Sequence, residues 1–236
     1  MLEHELQKQI LLKLIHEPEL SFNALWAKQG ESNKFAYHVN KLEETGLIHK
    51  NGTGCYKLTD EGRKLSAFIE GDTGSKAEFP TLTVVMVVKQ DGKHLCQRRL
   101  KEPFYGVWGL VSGKINFGQN VFECAKRDLF EESGLLAEDW KLKAIETIKT
   151  FDNEKLLYHH YMFIVQTDKV SGVLKEKTHK AEHCWLPLDE YLKKERFPSE
   201  WADLIFKSDD CVLIEGERYM TDGKFTGSKT MKVVKF

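Results

Sequence analysis

The chain has 236 residues, 41% hydrophobic and 30% charged, enough for one large or two modest globular domains. A formal net charge of −1 excludes a generic binder of polyanions. Five scattered cysteines without a Cys-x-x-Cys pair argue against a disulfide framework or a zinc site and for reduced thiols in a cytoplasmic setting. The N-terminus carries no signal-peptide apolar core. The longest apolar run, Val84 to Val88, is too short to span a bilayer, so no membrane partner is expected.

Leu6, Ile10, Leu11, Leu14 and Ile15 recur at helical spacing, and Pro18 ends that first helix. Ser21 can cap a short second helix carrying Leu25 and Trp26, closed by Gly30. Ser32 can cap a third, with Phe35, Val39 and Leu42 inward and Gly46 as its stop. Leu47 to His49 reads as a strand, Asn51-Gly52-Thr53-Gly54 as a turn, and Cys55 to Leu58 as the returning strand. Thr59 caps a fourth helix from Asp60 to about Ile69.

This order of elements, with LEETGLIHK followed by YKLTDEGRKL, resembles the winged helix-turn-helix domains of MarR- and ArsR-type regulators. The resemblance implies a third helix in the major groove of double-stranded DNA and a hairpin wing on the backbone or minor groove. On this chain the helix residues would be Asn33, Lys34, Tyr37, His38 and Lys41. The wing residues would be Lys50, Asn51, Thr53 and Lys57. It also implies a homodimer formed through the first and fourth helices. Residues 1–71 hold nine Lys or Arg and ten Asp or Glu, so a DNA-binding face must be local. The alternative is a domain that only packs against a partner, with its lysines solvated.

A small, polar, aperiodic stretch from Gly71 to Glu78 reads as a connector. The predicted boundaries are a first domain at 1–72, a linker at 73–79, a second domain at 80–208 and a C-terminal β-hairpin extension at 209–236. In the second domain Thr81 to Lys89 is a β-branched buried strand, Asp91-Gly92 a turn, and Lys93 to Arg98 the next strand. Leu142 to Phe151 and Leu156 to Thr167 are further strands. Short helices end near Lys194 and Phe206. His159 and His160 sit mid-strand, so one faces the interior and the other the site or solvent.

Between these strands lies the stretch from Trp108 to Leu135. Gly109, Gly113 and Gly118 precede a helix of roughly Asn120 to Glu132, and Gly134 closes it. At about 100° per residue, Asp128, Glu131 and Glu132 fall within an arc of about 100°. Three carboxylates on one face repel one another, and a divalent cation with hard oxygen ligands, Mg²⁺ or Mn²⁺, is the natural compensation. Arg127 can brace Asp128 through a bidentate pair. The same helix also offers a plain Glu123–Arg127–Glu131 ladder, which a solvated helix could use by itself.

Gly113, five residues, Gln119, seven residues, then Arg127-Asp128-Leu129-Phe130-Glu131-Glu132-Ser133-Gly134-Leu135 resembles the Nudix signature G-x5-E-x7-R-E-U-x-E-E-x-G-U. The resemblance implies an α/β/α sandwich, so the whole chain reads as α+β: a winged helix-turn-helix domain followed by a Nudix domain. It further implies metal-dependent hydrolysis of the diphosphate in a nucleoside diphosphate linked to another moiety. Glu132 would be the principal metal ligand, with Glu131, Asp128 and the Gly113 backbone beside it and Arg127 positioning a carboxylate. The phrase EHCWLPLDEYL is similar to the family's closing segment and points to Glu182 as an extra ligand or base, ahead of His183 and Glu176. Arg98, Arg99 and Lys114 are the phosphate-binding candidates.

Two positions depart from the pattern: Gln119 and Asp128 replace glutamates. Asp128 pulls its carboxylate back by about 1.5 Å, and a displacement near 1 Å can lower a rate about a hundredfold. A weakened pyrophosphohydrolase is therefore expected. The alternative is a transcriptional regulator whose Nudix-like domain senses a nucleotide metabolite such as ADP-ribose without efficient turnover. The role of the C-terminal hairpin, with Lys224, Lys229, Lys232 and Lys235, is left open.

Overall fold

The computed structural model describes residues 4–28, 30–69, 77–207 and 210–236. Residues 71–76 of the predicted connector lie outside the described residues. The chain divides into two compact units, Met1–Phe79 and Pro80–Phe236. Among the described residues no helix is long and apolar enough to cross a membrane.

The first unit runs α1 (Glu5–His16), β1 (Leu20–Ser21), α2 (Phe22–Trp26), α3 (Ser32–Glu44), β2 (Ile48–Lys50), β3 (Cys55–Leu58) and α4 (Asp60–Ser66). Its three strands pair in the order β1-β3-β2. Ile10, Leu11, Leu14, Leu25, Phe35, Val39 and Leu42 close one apolar core, which is what the helical spacing required. Ser21 and Thr59 cap as expected: their hydroxyls accept from Ala24 N at 3.3 Å and Gly62 N at 3.0 Å. Ser32 does not cap α3. It is the first helical residue, and Glu31 holds the cap position without a side-chain hydrogen bond. α2 is closed by Ala27 in the left-handed conformation rather than by Gly30.

The second unit runs β4 (Thr81–Gln90), β5 (Lys93–Arg99), β6 (Trp108–Lys114), α5 (Val121–Ser133), β7 (Leu135–Ala137), β8 (Lys141–Asp152), β9 (Lys155–Thr167), β10 (Val170–Gly172), β11 (Ala181–Leu186), α6 (Leu188–Leu192), α7 (Ala202–Phe206), β12 (Val212–Thr221) and β13 (Lys224–Lys235). Eight strands form one mixed sheet in the order β11-β5-β6-β4-β9-β8-β12-β13. The apolar run of β4 is buried on both faces of this sheet. Val84, Met86 and Val88 pack with Cys124, Ala125 and Leu129 of α5. Val87, with Val85 beside it, packs with Trp201 and with Ile205 of α7.

The glycine-bearing segment before α5 is a central strand, β6. Its glycines admit close neighbours: an added Cβ at Gly109 would lie 3.2 Å from the Phe197 ring. The C-terminal hairpin extends the sheet. β12 runs parallel to β8 from Val212 to Met220, and Val212 and Ile214 join the α7 core. Gly216 matters here, because a Cβ at that position would come within 2.6 Å of the Trp201 indole.

Candidate active site

α5 begins with a capping box. The Asn120 side chain accepts from Phe122 N and Glu123 N, both at 3.0 Å, and Glu123 accepts from Asn120 N at 3.0 Å. The helix ends at Gly134, left-handed with φ 76, where a Cβ would meet Val173 O at 2.7 Å. These two ends set the rotation of the helix and so the direction of its acids.

Arg127 ties the preceding loop to α5. Its Nε donates to Asp128 Oδ1 at 3.2 Å, and its Nη2 to Asp128 Oδ2 at 2.8 Å and Lys114 O at 2.9 Å. Its Nη1 donates to Gln119 Oε1. Gln119 thus keeps the acceptor role expected of a glutamate there, without the charge. The Asp128 carboxylate raises the Arg127 pKa further. Asp128 is buried against Gly113, where an added Cβ would fall 1.5 Å from Asp128 Oδ2. Cys124 Sγ donates to the same oxygen at 3.2 Å, and burial, with Asp128 beside it, pushes that thiol up to about 12.

Glu131 is exposed and Glu132 is half-buried. Lys180 Nζ donates to Glu132 Oε1 at 2.9 Å, and that pair raises the Lys180 pKa. Gly113, Lys114, Arg127, Asp128, Glu131 and Glu132 line one cavity of about 910 Å³. Arg99 and Lys101 line it too, and burial lowers the pKa of both. Arg98 and Glu182 do not. They face each other across β5 and β11, with Arg98 Nη1 at 3.8 Å from Glu182, and Lys177 Nζ donates to Glu182 at 2.8 Å. Strand alternation separates the two arginines: adjacent residues of β5 point to opposite faces. The same rule divides the histidines. His160 lines the cavity, while His159 Nε2 meets Thr147 Oγ1 at 3.1 Å.

Among the described residues no three His, Cys, Asp or Glu side chains are gathered into a metal-holding cluster. The donor chemistry nevertheless fits a hard cation. Three carboxylates share one cavity, and the bare Gly113 leaves room for Asp128 against the strand. Two of the three are held by basic partners, Asp128 by Arg127 and Glu132 by Lys180.

In the first unit, Asn33, Lys34, Tyr37 and Lys41 are exposed on α3. His38 lies on the inward stripe with Phe35, Val39 and Leu42 and stacks on His4 at 4.0 Å. Lys50 is exposed, 5.6 Å over the Tyr56 ring. Lys57 is paired with Glu19 at 2.7 Å, and Glu19 also accepts from Asn51 at 2.6 Å and Thr53 at 3.1 Å. Lys101 and Lys180 were not legible as site residues, because nothing local marks them; both come from connecting segments that the fold brings back to α5.

A mixed sheet with an acid-bearing helix on one face, entered through a glycine-containing strand, defines an α+β fold of Nudix type. Residues 79–205, more than half of the chain, match the family described as the NUDIX domain, and the chain belongs to that family. It is 30% identical over 147 residues to the oxidized purine nucleoside triphosphate hydrolase of Danio rerio, covering 62% of this chain and 86% of that one. It is 27% identical over 96 residues to the ADP-ribose pyrophosphatase of Methanocaldococcus jannaschii, covering 41% of this chain and 55% of the other. The crystal structure of the mutator MutT protein from Bacillus halodurans aligns with 64% of this chain and 97% of its own, with a TM-score of 0.54 and 20% identity, a likeness of fold alone.

Proposed function

We propose that this protein is a metal-dependent Nudix hydrolase that cleaves the diphosphate of a nucleoside diphosphate linked to another moiety. The observation that carries the reading is one cavity in which Asp128, Glu131 and Glu132 lie beside Arg99, Lys101 and Lys114. Acids for a cation and bases for phosphate are what in-line attack of water on phosphorus needs together. Glu132, Glu131, Asp128 and the Gly113 carbonyl would hold Mg²⁺ or Mn²⁺, which supplies charge neutralisation and a more acidic attacking water. Lys180 must release Glu132 for this to happen. Arg127 keeps Asp128 oriented, and Arg99, Lys101 and Lys114 take up phosphate charge. Glu182 stays with Lys177 and Arg98 outside the acid set. Turnover is slow in this reading, because Asp128 and Gln119 shorten and neutralise two positions of the signature.

Hydrolysis of ADP-ribose, NADH, nucleotide sugars and nucleoside triphosphates, assayed with Mg²⁺, tests this. Glu132→Gln should lower kcat by about 100-fold or more on whichever substrate is turned over. Absence of metal-dependent turnover on all of them, with tight binding of ADP-ribose retained, would overturn the reading in favour of a sensor.

A second reading adds a winged helix-turn-helix role for the first unit, supported by the exposed row Asn33, Lys34, Tyr37 and Lys41 on α3. In it the chain is a cytoplasmic homodimer that regulates transcription, and nucleotide binding changes affinity for double-stranded DNA. The Glu19–Lys57 pair removes one wing charge, so binding should be salt-sensitive and weak. A DNA mobility shift in low salt should be lost in Lys34→Ala/Lys41→Ala. A shift that is unchanged in that variant counts against the role.

A further inference from the structure

Lys180 stands where the three acids of α5 converge. Its Nζ donates to Glu132 Oε1 at 2.9 Å, and the Glu132 side chain, 13% exposed, is the better shielded of the pair. Glu132 gives the largest lift to the Lys180 pKa, and Glu131 and Asp128 add to it. One ammonium thus answers all three carboxylates, which is the compensation that their shared face requires of a cation. The lysine is also firmly placed. Thr178 N donates to Ala181 O at 2.8 Å, and Thr178 Oγ1 accepts from Lys180 N at 3.2 Å and Ala181 N at 3.1 Å, which fixes the turn. Leu100 N donates to Lys180 O at 2.8 Å and ties this turn to the segment carrying Arg99 and Lys101. Both of those cations feel Glu132 as well: burial lowers their pKa, and Glu132 pulls each the other way.

A free divalent ion must therefore displace an ammonium from Glu132 and enter beside two further cations. An ion already bound to a diphosphate meets less repulsion, because it brings negative charge with it, and its phosphate oxygens can accept from the displaced ammonium. We propose that Lys180 is a positioning residue that takes the cation's place on Glu132 in the free protein, closes that place to free divalent ions and yields it to an ion carried in on a diphosphate. The metal then arrives with the substrate and is not resident beforehand.

The assignment rests on the proposed hydrolase reading for the metal and the diphosphate, and its test is separable from turnover. Mn²⁺ is titrated into the full chain without nucleotide, and the free ion is followed by its paramagnetic resonance signal. An ion that needs a form populated one part in ten binds about 10-fold more weakly, so Lys180→Met should bind Mn²⁺ about 10-fold more tightly than wild type. Lys180→Arg, which keeps the charge, should stay near wild type. In a Glu132→Gln background, Lys180→Met should give no tightening, which separates the contact from a general loss of nearby positive charge. In turnover, Lys180→Met should raise KM for the metal–nucleotide complex more than it changes kcat. Equal Mn²⁺ affinity in wild type and a folded Lys180→Met, or the same tightening in the Glu132→Gln background, overturns the proposal and leaves the hydrolase reading to its own assay. Tightening that depends on Glu132, in a chain that turns over no diphosphate, supports the role of Lys180 and removes the hydrolase. Binding of Mn²⁺ by none of the variants overturns both.

Discussion

Gly113→Ala is expected to abolish measurable turnover and to destabilise the second unit. The added methyl would sit 1.5 Å from Asp128 Oδ2 and 2.2 Å from Asp128 Cγ, so the carboxylate must swing away. It would then leave Arg127, which also holds Gln119 and Lys114 O, and the loop before α5 would lose its tie to the helix. Breaking a largely buried ion pair costs about 3 kcal/mol, or roughly 6–12 °C in melting temperature for a unit of this size. Space is the cause here, not backbone conformation, and a double variant separates the two. Asp128→Ala removes the two closest atoms and leaves only its Cβ, 2.9 Å from the added methyl, so Gly113→Ala/Asp128→Ala should be more stable than the two single effects predict when added, by about 1 kcal/mol or more. Activity should not return, because an acid is gone. Additive melting temperatures in that cycle would mean that the close approach is not what excludes a side chain at position 113.

Glu146→Gln is expected to stabilise the protein above neutral pH, an unusual direction for a change in a cavity wall. Burial raises the Glu146 pKa from an ordinary 4.5 to about 7, against the opposing pull of Arg218. The protonated carboxyl is therefore the form that the fold prefers. Its contribution is fully present below about pH 4.5 and is lost as the pH rises through about 7, where the folded state must bury a charge. The whole swing is about 3 kcal/mol. Glutamine has the shape of the neutral acid and can still accept from Trp201, so wild type and variant should melt together near pH 4.5. Near pH 8 the variant should be more stable by about that amount. His160, Tyr191 and Arg218 line the same cavity, and Arg218 couples to the Glu146 carboxyl directly. Parallel curves from pH 5 to 8 would show that Glu146 is ionised in the fold throughout.

Much of the acid-bearing helix was legible without coordinates. Thirteen residues free of Gly and Pro, an Asn at one end and a Gly at the other are short-range signals, and α5 follows them to within a residue at each end. The capping and periodicity of the first unit are legible for the same reason, apart from α3, where Glu31 and not Ser32 holds the cap position, and α2, which Ala27 closes rather than Gly30. Spacing alone put Asp128, Glu131 and Glu132 on one face. It was silent on their partners. Lys180 lies 48 residues from Glu132, and Trp201 lies 55 from Glu146. No local pattern encodes such pairs.

No local signal marks β6 as a strand, because its glycines serve to admit Asp128 and Phe197 from elsewhere in the chain. The choice between Arg98 and Arg99 depended on which face of β5 meets the cavity, a matter of register with β11 and β6. The hairpin 212–235 carried no sign that it would lie parallel to β8, a pairing made across some seventy intervening positions. Residue order by itself determined the helix, its caps, its row of acids and the Nudix family to which they belong, because each of those depends on neighbours within one or two turns. Tertiary structure alone decided which bases hold the acids, which arginine reaches the cavity and that the last strands add Arg218 and Phe225 to its lining, because register and crossover are settled by packing between segments that the chain keeps far apart.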